Sequence, residues 1–160
     1  MSTATAHPPV AYMARTKRYY EAQGYAKPYV WAHFDEVPFT KLAKPLAEST
    51  LAIITTSALH DRQATDPRAV ASAATAAAPP LFANDLAWDK KATHLDDRET
   101  FLPLAPLRAM VDEGRLGALA KRFHCVPTEY SQRCTRTEDA PEILRRCRED
   151  GADIALLVPL

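Results

Sequence analysis

Glycine is scarce in this chain, with four residues among 160 against thirteen prolines, and neither a G-x-G-x-x-G fingerprint nor a Walker loop is present. Those phosphate cradles need glycine where the backbone closely approaches a ligand, so a nucleotide site of either kind is excluded. Cysteine is scarce too. Cys125, Cys134 and Cys147 are too few and too widely spaced for a disulfide framework, and they read as reduced thiols. Net charge is absent, since 20 basic residues balance 20 acidic ones, and without a basic excess no nucleic-acid partner is expected. No apolar run approaches the ~18 residues needed to span a bilayer. The opening "MSTATAHPPVAYMARTK" lacks a secretory pattern. The expected setting is the cytoplasm, with no membrane partner.

What is present suits a core: 47% of the residues are hydrophobic and 25% charged, and a chain of this length buries roughly two-thirds of its unfolded surface. Residues 1–11 read as a flexible arm and residues 12–160 as a single α/β domain. A first helix runs from Tyr12 to Gln23 and stops at Gly24. Pro28, Pro38 and Pro45 forbid a long helix after it, so that stretch reads as an irregular wrap anchored by Trp31, Phe34 and Phe39. "TLAIITTSALH", residues 50–60, is a β-branched apolar run that suits a strand buried on both faces. Residues 61–80, with "AVASAATAAAPP", hold no large anchor and read as an Ala/Pro-rich surface excursion. "LAPLRAMVDEG" reads as a helix, and "RLGALAKRF" as a short element. "TEDAPEILRRCREDG" reads as a helix with Thr137 as N-cap, Pro141 in its first turn and Gly151 as its stop. It leads into a terminal strand, Ile154 to Val158, apolar enough to need cover on both faces. Strand, crossover, helix, strand is the order of a Rossmann-like parallel sheet with flanking helices.

Candidate chemistry concentrates in "THLDDR". There Asp96 or Asp97 can orient His94 for proton transfer while Arg98 holds a substrate carboxylate. The plainer reading is a loop tied down by Asx turns and a surface ion pair. His60 follows the first strand and can face the carboxyl edge of the sheet, where open α/β sheets bind ligands. Tyr130 is a possible hydrogen-bond donor to substrate. Cys147 shares a helix face with Ile143 and Leu144 and reads as core packing. A small metal-dependent enzyme using His94, Asp96 and His124, with Cys125 as a further ligand, is chemically feasible. No C-x-x-C spacing supports a metal, and none is expected.

Three segments together, "PFTKLAKPLAESTLAIITTSALH" (38–60), "THLDDRETFLPLAPLRAMVDEGRLGALAKRFH" (93–124) and "APEILRRCREDGADIALLVPL" (140–160), resemble the B subunit, or selenoprotein B, of glycine, sarcosine, betaine and D-proline reductases. The resemblance implies reductive cleavage of a carbon–nitrogen bond in a small amine or amino acid, with a thiol reductant supplying the electrons. It also implies a selenocysteine or cysteine nucleophile in the loop immediately after Leu160, so that none of the three cysteines here inherits that role. On this reading the chain is a half-domain or truncated domain, inactive by itself, with His94, Asp96 and Asp97 as the polar wall of the site. It would pair with itself or with another reductase subunit. The rival expectation is a non-catalytic assembly module that pairs through the open edge of its terminal strand.

Overall fold

The computed structural model describes residues 10–27, 30, 33–38, 40–61, 67–83, 94–129 and 131–160. The chain divides into two units, residues 1–38 and 39–160, so the division falls after Pro38 where one domain from residue 12 was expected. The first unit holds α1 (Tyr12–Ala22), none of whose residues is buried. Tyr20 there meets Tyr19 and Tyr25 edge-on, with ring centroids 5.8 and 5.5 Å apart. Of the three anchors expected in the wrap, Phe34 is exposed, while Trp31 and Phe39 lie outside the described residues.

The second unit is built around β1 (Thr50–Thr55), whose β-branched Ile53 and Ile54 favour extended backbone. β1 is buried on both faces, as expected. β5 (Ile154–Val158) lies parallel along one side of it, from Leu51 opposite Ile154 to Thr55 opposite Val158. On the other side two short parallel strands share its length. β3 (Ala118–Leu119) pairs with Thr50 and Leu51, and β4 (Arg122–Cys125) pairs with Ile54 and Thr55. Beyond β4 runs β2 (Ala71–Ala74), antiparallel to it. The result is an α/β fold with a mostly parallel five-stranded sheet and flanking helices, of the Rossmann-like kind.

β2 corrects the expected excursion. Its alanines have little intrinsic preference for a strand, but they pair with Arg122–Cys125, and pairing outweighs propensity at a sheet edge. Val70 and Thr75 beside it are buried.

The two faces of β1 point into two cores. Leu51 and Ile53 pack among Phe101, Leu102, Leu104, Leu116 and Phe123. That face is covered by α2 (Leu104–Asp112) through Leu107, Met110 and Val111. Ala52 and Ile54 face the opposite way, against Ala120, Ile143 and Cys147.

The helix over this second face starts earlier than its sequence suggests. A helical run passes through α3 (Gln132–Cys134), a π turn (Thr135–Asp139) and α4 (Ala140–Glu149). Ser131 is the cap, its Oγ accepting from the Cys134 amide at 3.3 Å. Thr137, the expected cap, lies inside the run and donates to the Arg133 carbonyl at 3.0 Å. Pro141 accounts for the π turn: it has no N–H to donate and its ring crowds the carbonyl four residues back, and a wider turn relieves both. Gly151, at φ 68°, stops the run as expected.

The terminal strand is covered on one face rather than two. Ile154, Leu156 and Val158 pack against the first core, while Ala155 is exposed and Leu157 is 72% exposed. The second core beneath α4 draws on Ala52 and Ile54 of β1 and on no residue of β5. Among the described residues no helix is long and apolar enough to cross a membrane.

Gly117 turns the chain into β3 where two backbones touch. A Cβ there would lie 2.7 Å from the Glu48 carbonyl carbon and 2.7 Å from the Ser49 nitrogen. Gly117→Ala is therefore expected to lower stability by ~1–3 kcal/mol, read as a lower urea midpoint at unchanged slope. An unchanged midpoint would refute the close approach.

Candidate functional site

The chain leaving β1 goes on to β2 and then α2 on one face of the sheet, whereas the chain leaving β4 enters the α3–α4 run on the other. Parallel strands whose exits part in this way leave a crevice at their carboxyl ends. A groove of about 590 Å³ occupies that position, bordered by Thr55 and Thr56 at the end of β1, Val126 to Glu129 after β4, and Val158 and Pro159 at the end of β5. Its long walls are apolar: Ile143 and Leu144 of α4 on one side, Ala155 and Leu157 of β5 on the other.

One end is polar, and Arg68 organises it. Its Nη1 and Nη2 donate to the two oxygens of Asp139 at 2.6 and 2.7 Å, and its Nε donates to the Pro127 carbonyl at 2.7 Å. The bond to Asp139 raises the Arg68 pKa further above its ordinary value, against the opposing effect of burial. Glu129 stands beside them. One of its oxygens accepts from the Ser131 amide at 2.7 Å, and the other lies 3.9 Å from the guanidinium. Asp139 is the last residue of the π turn, so the turn that accommodates Pro141 also brings this carboxylate to Arg68. Sequence reasoning missed all three charged residues. The available signal was Arg68, followed in an Ala- and Pro-rich stretch by no other charged residue up to Pro80.

The residues singled out in the sequence lie elsewhere. His94, Asp96, Asp97 and Arg98 do not line the groove. His94 Nδ1 is 3.4 Å from an Asp96 oxygen, and both side chains are exposed. Asp97 accepts from the Glu99 amide at 3.1 Å and caps the short turn Arg98–Thr100. Arg98 pairs with Glu99 at 3.7 Å. The loop thus ties itself down, while Leu95 within it packs on the core cluster that Val158 and Leu160 also join. His60 is exposed and does not border the groove. Tyr130 lies outside the described residues.

His124 does not join His94 and Asp96. It is fully buried in β4, and among the described residues no group of three or more His, Cys, Asp or Glu converges as metal ligands. Its Nδ1 is 2.8 Å from the Ser72 hydroxyl, which accepts from Arg146 at 2.7 Å. Its Nε2 has no hydrogen-bond partner among the described residues. Burial lowers the His124 pKa.

The three thiols differ in exposure. Burial pushes Cys125 up to about 11, although the Ser57 hydroxyl at 3.7 Å opposes the shift. Cys147, on the buried face of α4 and lining the groove, is also raised by burial. Cys134 is half-buried beside the Arg133 guanidinium at 3.3 Å. The chain matches no known family model, no curated protein and no solved structure.

Two outcomes follow. A disulfide reagent should modify Cys134 rapidly in the native protein, and Cys125 and Cys147 only after unfolding; fast native labelling of Cys125 would contradict its burial. As pH falls below the ordinary histidine value of 6.5, the unfolded chain takes up a proton that folded His124 resists. Its contribution to stability is therefore complete above that pH and declines below it. Urea midpoints measured across the acid range should fall less steeply for His124→Phe than for the wild type.

Proposed function

We propose that this chain is the substrate-holding part of a selenoprotein B-type reductase. The groove at the carboxyl edge would receive a small amine or amino acid for reductive carbon–nitrogen cleavage with electrons from a dithiol. The observation that carries this reading is the groove's position: it opens at the end of β5 beside Pro159, next to the point where the resemblance puts a selenocysteine or cysteine. A selenolate or thiolate there would attack the substrate carbon, forming a selenoether or thioether as the carbon–nitrogen bond breaks. The dithiol would then cleave that new bond, the carbon fragment leaving with a proton, the selenolate or thiolate freed and the dithiol oxidised to a disulfide. The carboxyl edge of a parallel sheet is where such folds bind ligands. The protonated, buried state of Cys125 and Cys147 accords with a nucleophile supplied from outside these 160 residues. The cytoplasm, where thiols stay reduced, suits this chemistry.

A second reading, a non-catalytic assembly module, is favoured by one observation. Leu157, 72% exposed on β5, stands across the groove from Leu144, 48% exposed on α4, and partner chains bury such surface.

The test is reductive carbon–nitrogen cleavage in the presence of dithiothreitol, read as release of ammonia or amine from glycine, sarcosine, betaine and benzylamine, the last without an acid group, and as ring opening of D-proline. The 160-residue chain alone should cleave none, and the chain extended through the reading frame that follows Leu160 should cleave at least one. Loss of that cleavage when the first selenocysteine or cysteine after Leu160 is changed to serine would support the assignment. An extended chain that is inactive toward all five substrates yet forms a stable complex with a partner chain would favour the assembly reading instead.

A further inference from the structure

The groove's charge is not balanced. Among the described residues that line it, the charged groups are Arg68, Asp139 and Glu129, one cation against two carboxylates. Arg68 is already committed, with both Nη atoms on Asp139 and Nε on the Pro127 carbonyl. The pair formed with Asp139 leaves the charge of Glu129 as the excess. Glu129 is held in place by the Ser131 amide and keeps a quarter of its side chain accessible. The long walls, Ile143 and Leu144 facing Ala155 and Leu157, are apolar, and the volume of about 590 Å³ lies within the range of small-molecule sites.

We infer that the groove selects an apolar monocation, a substituted ammonium whose charged head meets Glu129 and whose hydrocarbon body lies between α4 and β5. A ligand carboxylate is disfavoured, because it would approach two fixed carboxylates and a guanidinium whose donors are largely taken. An amine without an acid group fits better than a zwitterionic amino acid. This deepens the preceding proposal by naming the substrate class of the same groove, and it rests on that reading only in treating the groove as the ligand site.

Titration calorimetry of the 160-residue chain at neutral pH, with benzylammonium, benzyl alcohol and benzoate as probes, tests the inference. A charge-assisted hydrogen bond to Glu129 should make benzylammonium bind about tenfold more tightly than benzyl alcohol, with benzoate the weakest of the three. Glu129→Gln keeps an oxygen for the Ser131 amide, so the melting temperature should hold while the preference for the cation disappears. Leu157→Ser, at an exposed position, should weaken the ammonium and the alcohol alike. Absence of binding by all three probes, benzoate binding as tightly as benzylammonium, or a preference that survives Glu129→Gln would overturn the inference. Because the readout is binding, an ammonium that occupies the groove but is not cleaved by the extended chain would sink the reductase reading alone.

Discussion

Burial of β1 on both faces is the constraint from which the rest of the second unit follows. A strand with Ala52 and Ile53 at 0% and 1% exposure has no water for its backbone, so each N–H and C=O needs a protein partner. β5 supplies five consecutive paired residues on one side. β3 and β4 share the other side, with the Ala120 amide reaching the Leu51 carbonyl at 2.8 Å where the two strands break. Each face also needs its own helix. A fully buried Leu or Ile contributes roughly 1.5–3 kcal/mol, which rewards covering both. Placing α2 on one face and α4 on the other makes the exits of β1 and β4 part, and the groove is the space between them.

The Arg68 and Asp139 pair closes one end of that space. Asp139 has an 8% exposed side chain, and taking such charges from water costs several kcal/mol per ion unless geometry and hydrogen bonds compensate. Here the bonding is two-pronged, and the Pro127 carbonyl occupies a third guanidinium donor. The benefit lies in position more than in stability. One side chain ties three segments together: the approach to β2, the loop after β4 and the π turn. Glu129, held by the Ser131 amide, stands 3.9 Å from the same guanidinium.

The "THLDDR" loop shows how a dense set of polar residues can mislead. His94, two aspartates and Arg98 within a few positions resemble a reacting constellation, yet Asp97 turns back to the Glu99 amide and Arg98 pairs with Glu99 beside it. Local partners satisfy these groups because they are neighbours in sequence. The groove's charged residues, 68, 129 and 139, are far apart in sequence, and nothing in their spacing announces that they meet. Two hydrophobic cores and a π turn bring them together.

Much of the layering could be read directly from the residues. The apolar, β-branched run at 50–55, the helix ending at Gly151 and the apolar strand after it are local patterns, and their order implies an α/β sheet. Cys147 falls on the buried face of its helix with Ile143, as their four-residue spacing requires, whereas Leu144, expected on the same face, is 48% exposed. Three features depended on the tertiary structure. β2 is a strand because β4 offers it a backbone to pair with, although its alanines have no strong preference of their own. The last helical run begins at Ser131 because a π turn accommodates Pro141. The polar end of the groove exists because α4 covers β1 while Arg68, from a segment with no helix or strand signal, reaches across to Asp139. Periodicity and capping are properties of neighbouring residues, so the sequence displays them. Pairing at a sheet edge and the convergence of distant charges depend on where the chain returns in space, which only the folded structure decides.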